Sequence, residues 1–271
     1  MIEALLAALF GLLIGSFLNV CIYRMPRDLS VVTPRSFCPE CNQTIAWFDN
    51  IPLLSYALLG GRCRRCGHRI SVRYPVVELL TGAMFFFAFW FLGPTPAAAK
   101  FCVFSAIMIA LVFSDLEEHI LPDEFTLGGT AVGVIFAAFV PVSGGILFII
   151  FMNAKHQWLV SVSDSLLAAA VYSGALGMFR LLYEKLRHRE GMGLGDVKMA
   201  AMIGAFLGMQ SALLAFLVGS LLGAVVGLCY IWFTGKDAST YELPFGSFLG
   251  VAALGVGFFD VIFNWSHRLG A

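Results

Sequence analysis

Charge is what this sequence has least of. Only 13% of its 271 residues are Asp, Glu, Lys or Arg, and the 17 basic and 17 acidic side chains cancel to a net charge of zero. That leaves no global attraction to a polyanion, and nucleic acid is excluded as a partner on this ground. A long linker, an internal repeat and a low-complexity segment are also missing. So is any strand–turn–helix unit with a glycine-rich phosphate turn, and a soluble dinucleotide-type fold is not expected. Apolar residues take their place: 59% of the chain is hydrophobic, 26 residues are Phe, and the mean hydropathy is +0.87. A soluble domain is nearer a quarter charged, so the chain reads as an all-helical protein of the lipid bilayer.

A span needs about 20 mostly apolar residues. Eight runs qualify, near 2–23, 76–92, 96–114, 125–151, 166–183, 193–207, 212–233 and 246–265. The charge-free stretch 199–233 is too long for one crossing, and Gly208-Met209-Gln210-Ser211 is the expected turn. The run before that turn is short, which draws Asp196 to the membrane boundary. The first run has no basic region ahead of it, Glu3 being the only early charge, so it is expected to be an uncleaved span rather than a signal peptide. Eight spans put both termini on one side. With the termini outside, the inside segments hold 14 of the 17 basic residues and only Lys100, Lys155 and Arg268 fall outside. The expected division is a first helix (1–23), a cytosolic loop domain (24–75) and a domain of about seven further helices (76–271).

That loop carries Cys38-Pro39-Glu40-Cys41 and Cys63-Arg64-Arg65-Cys66. Two such pairs suit a tetrahedral four-thiolate site, the geometry of structural zinc, in a reducing compartment. The alternatives are two unrelated redox pairs or a disulfide pair. A loop of this size buries too little apolar surface to fold alone, and a metal would supply the missing stability. His68 is expected at the surface, and Cys21, Cys102 and Cys229 as apolar packing residues.

Ionisable residues at bilayer depth are functional candidates. Asp115 follows the apolar run 101–113, and Asp196 lies in Gly191-Met192-Gly193-Leu194-Gly195-Asp196-Val197-Lys198. Both fall on the inner face. Two carboxylates in a poorly solvated site share a proton, one acting as acid and one as base, which is the equipment for driving water onto a peptide carbonyl. Gly193 and Gly195 admit close approach of an extended backbone. Structural caps or an ion relay are the alternatives.

Together these motifs resemble the bacterial type IV prepilin peptidases, or prepilin leader peptidase/N-methyltransferases, which are GxGD-type aspartyl proteases. The resemblance runs through Gly15-Ser16-Phe17-Leu18-Asn19-Val20, Tyr23-Arg24, the two cysteine pairs, Trp47-Phe48-Asp49-Asn50-Ile51-Pro52-Leu53-Leu54-Ser55-Tyr56 and Arg73-Tyr74-Pro75-Val76-Val77-Glu78-Leu79-Leu80. It continues through Asp115 to Leu121-Pro122-Asp123, Glu190 to Lys198, and Pro244-Phe245-Gly246. It implies residence in the bacterial inner membrane and cleavage of the basic leader of prepilins or pseudopilins on the cytosolic side. Methylation of the new amine from S-adenosylmethionine follows by the same resemblance, with no residue singled out for the methyl donor. It places the catalytic pair on Asp115 and Asp196 and zinc on Cys38, Cys41, Cys63 and Cys66.

Two departures stand out: Ser247 where many members carry a proline, and a long segment at 141–163. Asp123 is expected to cap a helix or support the site. Glu190 and Lys198 orient Asp196, contact substrate or form an interfacial pair. Glu117, Glu118 and Glu124 make an acidic loop suited to a basic leader. His119 reaches Asp115 if the helix continues, and Glu78 anchors the loop through an arginine. The rival functions are an ion-coupled transporter using the same aspartates and a membrane scaffold built on the zinc module.

Overall fold

The computed structural model describes residues 1–141, 147, 150, 156–187, 192–234 and 244–269. Eight helices are labelled in chain order: α1 (Ile2–Arg24), α2 (Leu54–Leu58), α3 (Arg73–Leu92), α4 (Pro96–Glu118), α5 (Asp123–Phe139), α6 (Gln157–Arg187), α7 (Leu194–Thr234) and α8 (Phe245–Leu269). Among the described residues the extended chain pairs only at two isolated bridges, Phe37 with Thr44 and Arg62 with Arg69.

Six helical segments among the described residues are long and apolar enough to cross a bilayer: Ile2–Arg27, Arg73–Leu92, Pro96–Glu118, Gln157–Arg187, Leu194–Tyr230 and Phe245–Phe263. Two features connect this to the eight runs of the sequence. The α5 helix has 17 residues, and α7 is two helices meeting at Gly208, where φ is 76° and the helix breaks. This is the turn expected there, and only glycine adopts that φ without strain. One boundary differs. The run expected over 125–151 stops as a helix at Phe139, because Val140 turns extended at φ −125° and ψ 100° ahead of Pro141. Proline disfavours a helical residue before it. Most of the long segment at 141–163 lies outside the described residues.

The chain divides into two compact units, Met1–Ala110 and Leu111–Ala271, with α4 running from one into the other. In the first unit α1 packs along α3. The contact is made by small residues: a Cβ on Gly11 would sit 2.9 Å from the Gly82 Cα, and one on Gly15 would sit 2.7 Å from the Glu78 Cα. Lipid offers no hydrophobic drive between helices, so backbones must approach this closely for dispersion to hold them together. Asn19, buried in the same seam, donates to the Gly15 carbonyl (3.2 Å) and the Tyr74 carbonyl (3.1 Å). Leu5, Leu6, Leu9, Leu13 and Phe17 lie exposed on the other side of α1, as a lipid-facing surface requires.

In the second unit α5, α6 and α8 pack on α7. Its centre is Met199, Met202, Ile203, Phe206 and Leu249, all essentially buried. Here too the approach is tight: a Cβ on Gly204 would lie 2.7 Å from the Ala168 carbonyl oxygen. The Ser165 hydroxyl donates to the Ala205 carbonyl at 2.8 Å, so the polar atoms of this seam are satisfied internally, as hydrocarbon demands.

The α1–α3 seam has no room for a methyl group at Gly15. Gly15→Ala should therefore destabilise the protein by about 1–3 kcal/mol, read as a lowered Tm in detergent, and an unchanged Tm would show that the helices separate freely.

Candidate active site and metal centre

Four helix ends build the first site. The last turn of α4 carries Asp115, and the chain leaves the helix at His119, whose φ of 53° ends it. The Ser114 hydroxyl donates to the Ile120 carbonyl at 2.7 Å and closes the turn. After Leu121 and Pro122, α5 begins at Asp123. Asp196 stands in the first turn of α7, and α8 starts at Phe245.

The two aspartates meet beside Gly246. A Cβ on Gly246 would lie 3.1 Å from Asp115 Oδ2 and 3.1 Å from Asp196 Oδ1, so these oxygens are within twice that distance of each other. Asp115 is 5% exposed and Asp196 9%. Asp115 Oδ2 accepts the Ser247 backbone N–H at 2.6 Å and the Ser247 hydroxyl at 2.7 Å. That N–H belongs to the first turn of α8, where amides lack partners within the helix and the helix dipole favours a carboxylate. Gly195 has a packing reason: a Cβ there would lie 2.9 Å from the Leu121 Cβ. A Cβ on Gly193 would meet Asp196 Oδ2 at an ordinary 3.6 Å, so space does not require glycine there. Two carboxylates this close and this buried are an arrangement that can share one proton and direct a water.

The neighbouring residues are placed as follows. Asp123 is not a cap: Pro122 holds that position without a side-chain bond, and the Asp123 carboxylate takes both contacts of Lys198 Nζ, at 2.6 and 2.8 Å. Lys198 is thus an interfacial charge partner tying the start of α7 to the start of α5. His119 does not continue the helix toward Asp115. Glu190 and Gly191 lie outside the described residues.

The second site is built by the two cysteine pairs. The four Sγ atoms lie within 4.8 Å of one another, and Cys38 and Cys66 are 3.9 Å apart. A zinc ion with bonds of about 2.3 Å places tetrahedral sulfurs about 3.8 Å apart, so the cluster is compatible with structural zinc. The two halves repeat one another in backbone structure, a repeat not expected from the sequence. Asn42 N–H bonds the Cys38 carbonyl as Gly67 N–H bonds Cys63, Cys38 N–H bonds Gln43 as Cys63 N–H bonds His68, and Ile45 N–H bonds Ser36 as Ile70 N–H bonds Gly61. Asn42 and Gly67, each after the second cysteine, both take positive φ. The N–H groups of Cys66 and Arg65 pull the Cys63 thiol down to about 7. At Cys66 the His68 N–H favours the thiolate, but desolvation and the neighbouring sulfurs outweigh it and push that thiol up to about 12. Only a cation holds four such sulfurs together as thiolates. His68 is at the surface, facing Glu40 at 3.9 Å.

Two residues carry more than the sequence suggested. Ser247 looked like a minor departure, yet it is the double donor to Asp115; the available signal was its place in the first turn of a helix following Pro244. Glu78 does anchor the loop, but through the Leu53 backbone N–H at 2.8 Å rather than through an arginine.

Residues 9–92 match the bacterial peptidase A24 N-terminal domain, and residues 102–228 match the type IV leader peptidase family. A prepilin leader peptidase/N-methyltransferase of Myxococcus xanthus (strain DK1622) is 40% identical over 86% of this chain, which spans 64% of that protein. The protein of the same name from Legionella pneumophila is 34% identical over 96% of this chain and 93% of its own length. That from Aeromonas hydrophila is 35% identical over 91% and 87%. No solved structure matches the chain.

For the metal centre, elemental analysis of purified protein should find about one zinc per chain. Cys63→Ser should lose the zinc and expose the loop to protease. A zinc-free wild type with a protease-resistant loop would argue against the metal.

Proposed function

Because the chain belongs to the type IV leader peptidase family, we propose that it is an integral membrane aspartyl endopeptidase of the bacterial inner membrane. It removes the basic leader of prepilins or pseudopilins at the cytosolic face and N-methylates the terminus that cleavage exposes. The observation that carries this reading is the convergence of Asp115 and Asp196 beside Gly246.

The mechanism follows from the shared proton. One carboxylate takes a proton from water as its oxygen attacks the scissile carbonyl, and the protonated partner donates to the carbonyl oxygen. Collapse of the tetrahedral species passes a proton to the departing amide nitrogen, and no acyl-enzyme forms. Ser247 holds Asp115 Oδ2 by two hydrogen bonds, so the attacking water meets a fixed base geometry. Asp123, paired with Lys198, supports the site by fixing the start of α5 against α7. The substrate is a membrane-inserted helix that unwinds around its scissile bond, since a helical peptide hides its carbonyls. Glu117, Glu118 and Glu124 offer its basic leader a complementary surface. Cys38, Cys41, Cys63 and Cys66 hold a structural zinc. The methyl donor in this reading is S-adenosylmethionine, which carries net positive charge.

Asp115→Asn and Asp196→Asn should each abolish cleavage of a prepilin-like substrate while Tm and zinc content stay at wild-type values. Near-normal activity in either would sink the assignment. Ser247→Ala removes the hydroxyl donor to Asp115 and keeps the backbone one, and it should lower kcat about tenfold with KM little changed. Reversing the charge of Glu117 and Glu118 together should raise KM about fivefold, and an unchanged KM would remove the leader-binding role.

A further inference from the structure

The first unit contains a cavity of about 390 Å³ that no step above uses. One wall is a stripe of α1 running from Leu13 and Phe17 to Arg24; the others come from residues 31–36, with Arg35, and from Trp47 and Asn50. At about 1.5 Å per residue the α1 stripe climbs some 16 Å. It passes from side chains exposed toward lipid to the charged end of a membrane-spanning helix.

The walls are held in place. Arg24 Nη1 donates to the Ser30 carbonyl and Nη2 to the Pro34 carbonyl, each at 2.8 Å. On the other side the Ser55 hydroxyl donates to the Phe48 carbonyl at 2.9 Å, and Arg64 clamps Asp49 at 2.6 Å. Leu53 sits at φ 60° with Leu54 N–H bonding the Pro52 carbonyl at 2.6 Å, a tight turn that is costly for a branched residue. The bond from its N–H to Glu78 offsets that cost.

The charge of the cavity is one-sided. Arg24 is 4% exposed, yet its hydrogen bonds go to neutral carbonyls, and it lies 5.8 Å from the centre of the Phe37 ring. Among the described residues it has no carboxylate partner. Arg35 also lines the space, and no Asp or Glu does. Buried charge in a protein is ordinarily paired. S-adenosylmethionine has the wrong sign for this cavity, which lacks any acid to meet a sulfonium or an ammonium.

We infer that the cavity is a binding site for an anionic phospholipid. The acyl region lies along Leu13, Phe17 and Val20, the phosphate meets Arg24 and Arg35, and Trp47, 73% exposed, takes the interfacial place where aromatic rings anchor. The lipid supplies the missing counter-charge and pins the loop to the bilayer.

Native mass spectrometry of the zinc-loaded full chain in mild detergent, titrated with phosphatidylglycerol or phosphatidylcholine, tests this. Wild type should prefer phosphatidylglycerol. Arg35→Gln should weaken that lipid about fivefold, as expected for one arginine at the headgroup, and Trp47→Ala should weaken it further. Arg187→Gln, a basic residue elsewhere on the surface, should leave it unchanged. Arg24→Lys, with zinc content as the check on folding, should weaken phosphatidylglycerol and not phosphatidylcholine. Equal binding of the two lipids overturns the inference, as does an unaffected Arg35→Gln variant. Full competition by glycerol 3-phosphate overturns it too, since that would mark a site for a soluble anion. None of these outcomes bears on cleavage.

Discussion

Keeping two carboxylates together inside an apolar bundle is the constraint that shapes the second unit. A lone ionised Asp at 5% exposure is costly, and two of them repel. The chain answers with geometry. Four helix ends meet at the pair, so that free amides and turn backbone, rather than more side-chain charge, supply the polar contacts. Gly246 removes the Cβ that would stand between the carboxylates, and Gly195 lets the start of α7 close on Leu121. Ser247 then spends an amide and a hydroxyl on one oxygen of Asp115. A salt bridge between Lys198 and Asp123 sits outside the pair and braces it.

The first unit solves a different problem. Residues 25–72 have too little apolar material for a core, and the structure substitutes repetition. The same backbone knuckle is made twice, around Cys38 and around Cys63, and the four sulfurs face one another. The module is joined to the membrane helices at a few polar contacts: Glu78 to Leu53, and Arg24 to the carbonyls of Ser30 and Pro34. In a chain with so few charges, the ones spent here are structural hinges between a wet loop and a greasy helix pair.

Much of this is legible from residue order alone. Hydropathy located the helices and the break at Gly208, because burying a backbone in lipid requires long uninterrupted runs. Cysteine spacing located the four-cysteine cluster, because the two knuckles are local structures set by a few adjacent residues. The two aspartates stood out because a carboxylate in an apolar run is rare. Several differences between sequence and structure concern direction. Asp123, expected to cap a helix or support the site, pairs with Lys198; Glu78, expected to meet an arginine, holds a backbone amide; Ser247, a minor departure in sequence, serves Asp115.

The sequence by itself determined the fold class, the membrane-spanning helices and the inventory of chemical groups, since all three depend on composition and short-range periodicity. Only the tertiary structure decided which groups meet. Asp115 and Ser247 are bonded across 132 positions, and Asp123 and Lys198 across 75. Such pairings are fixed by how helices of nearly uniform apolar surface pack, at glycines where backbones touch, and no local pattern in the residues around each partner records that choice.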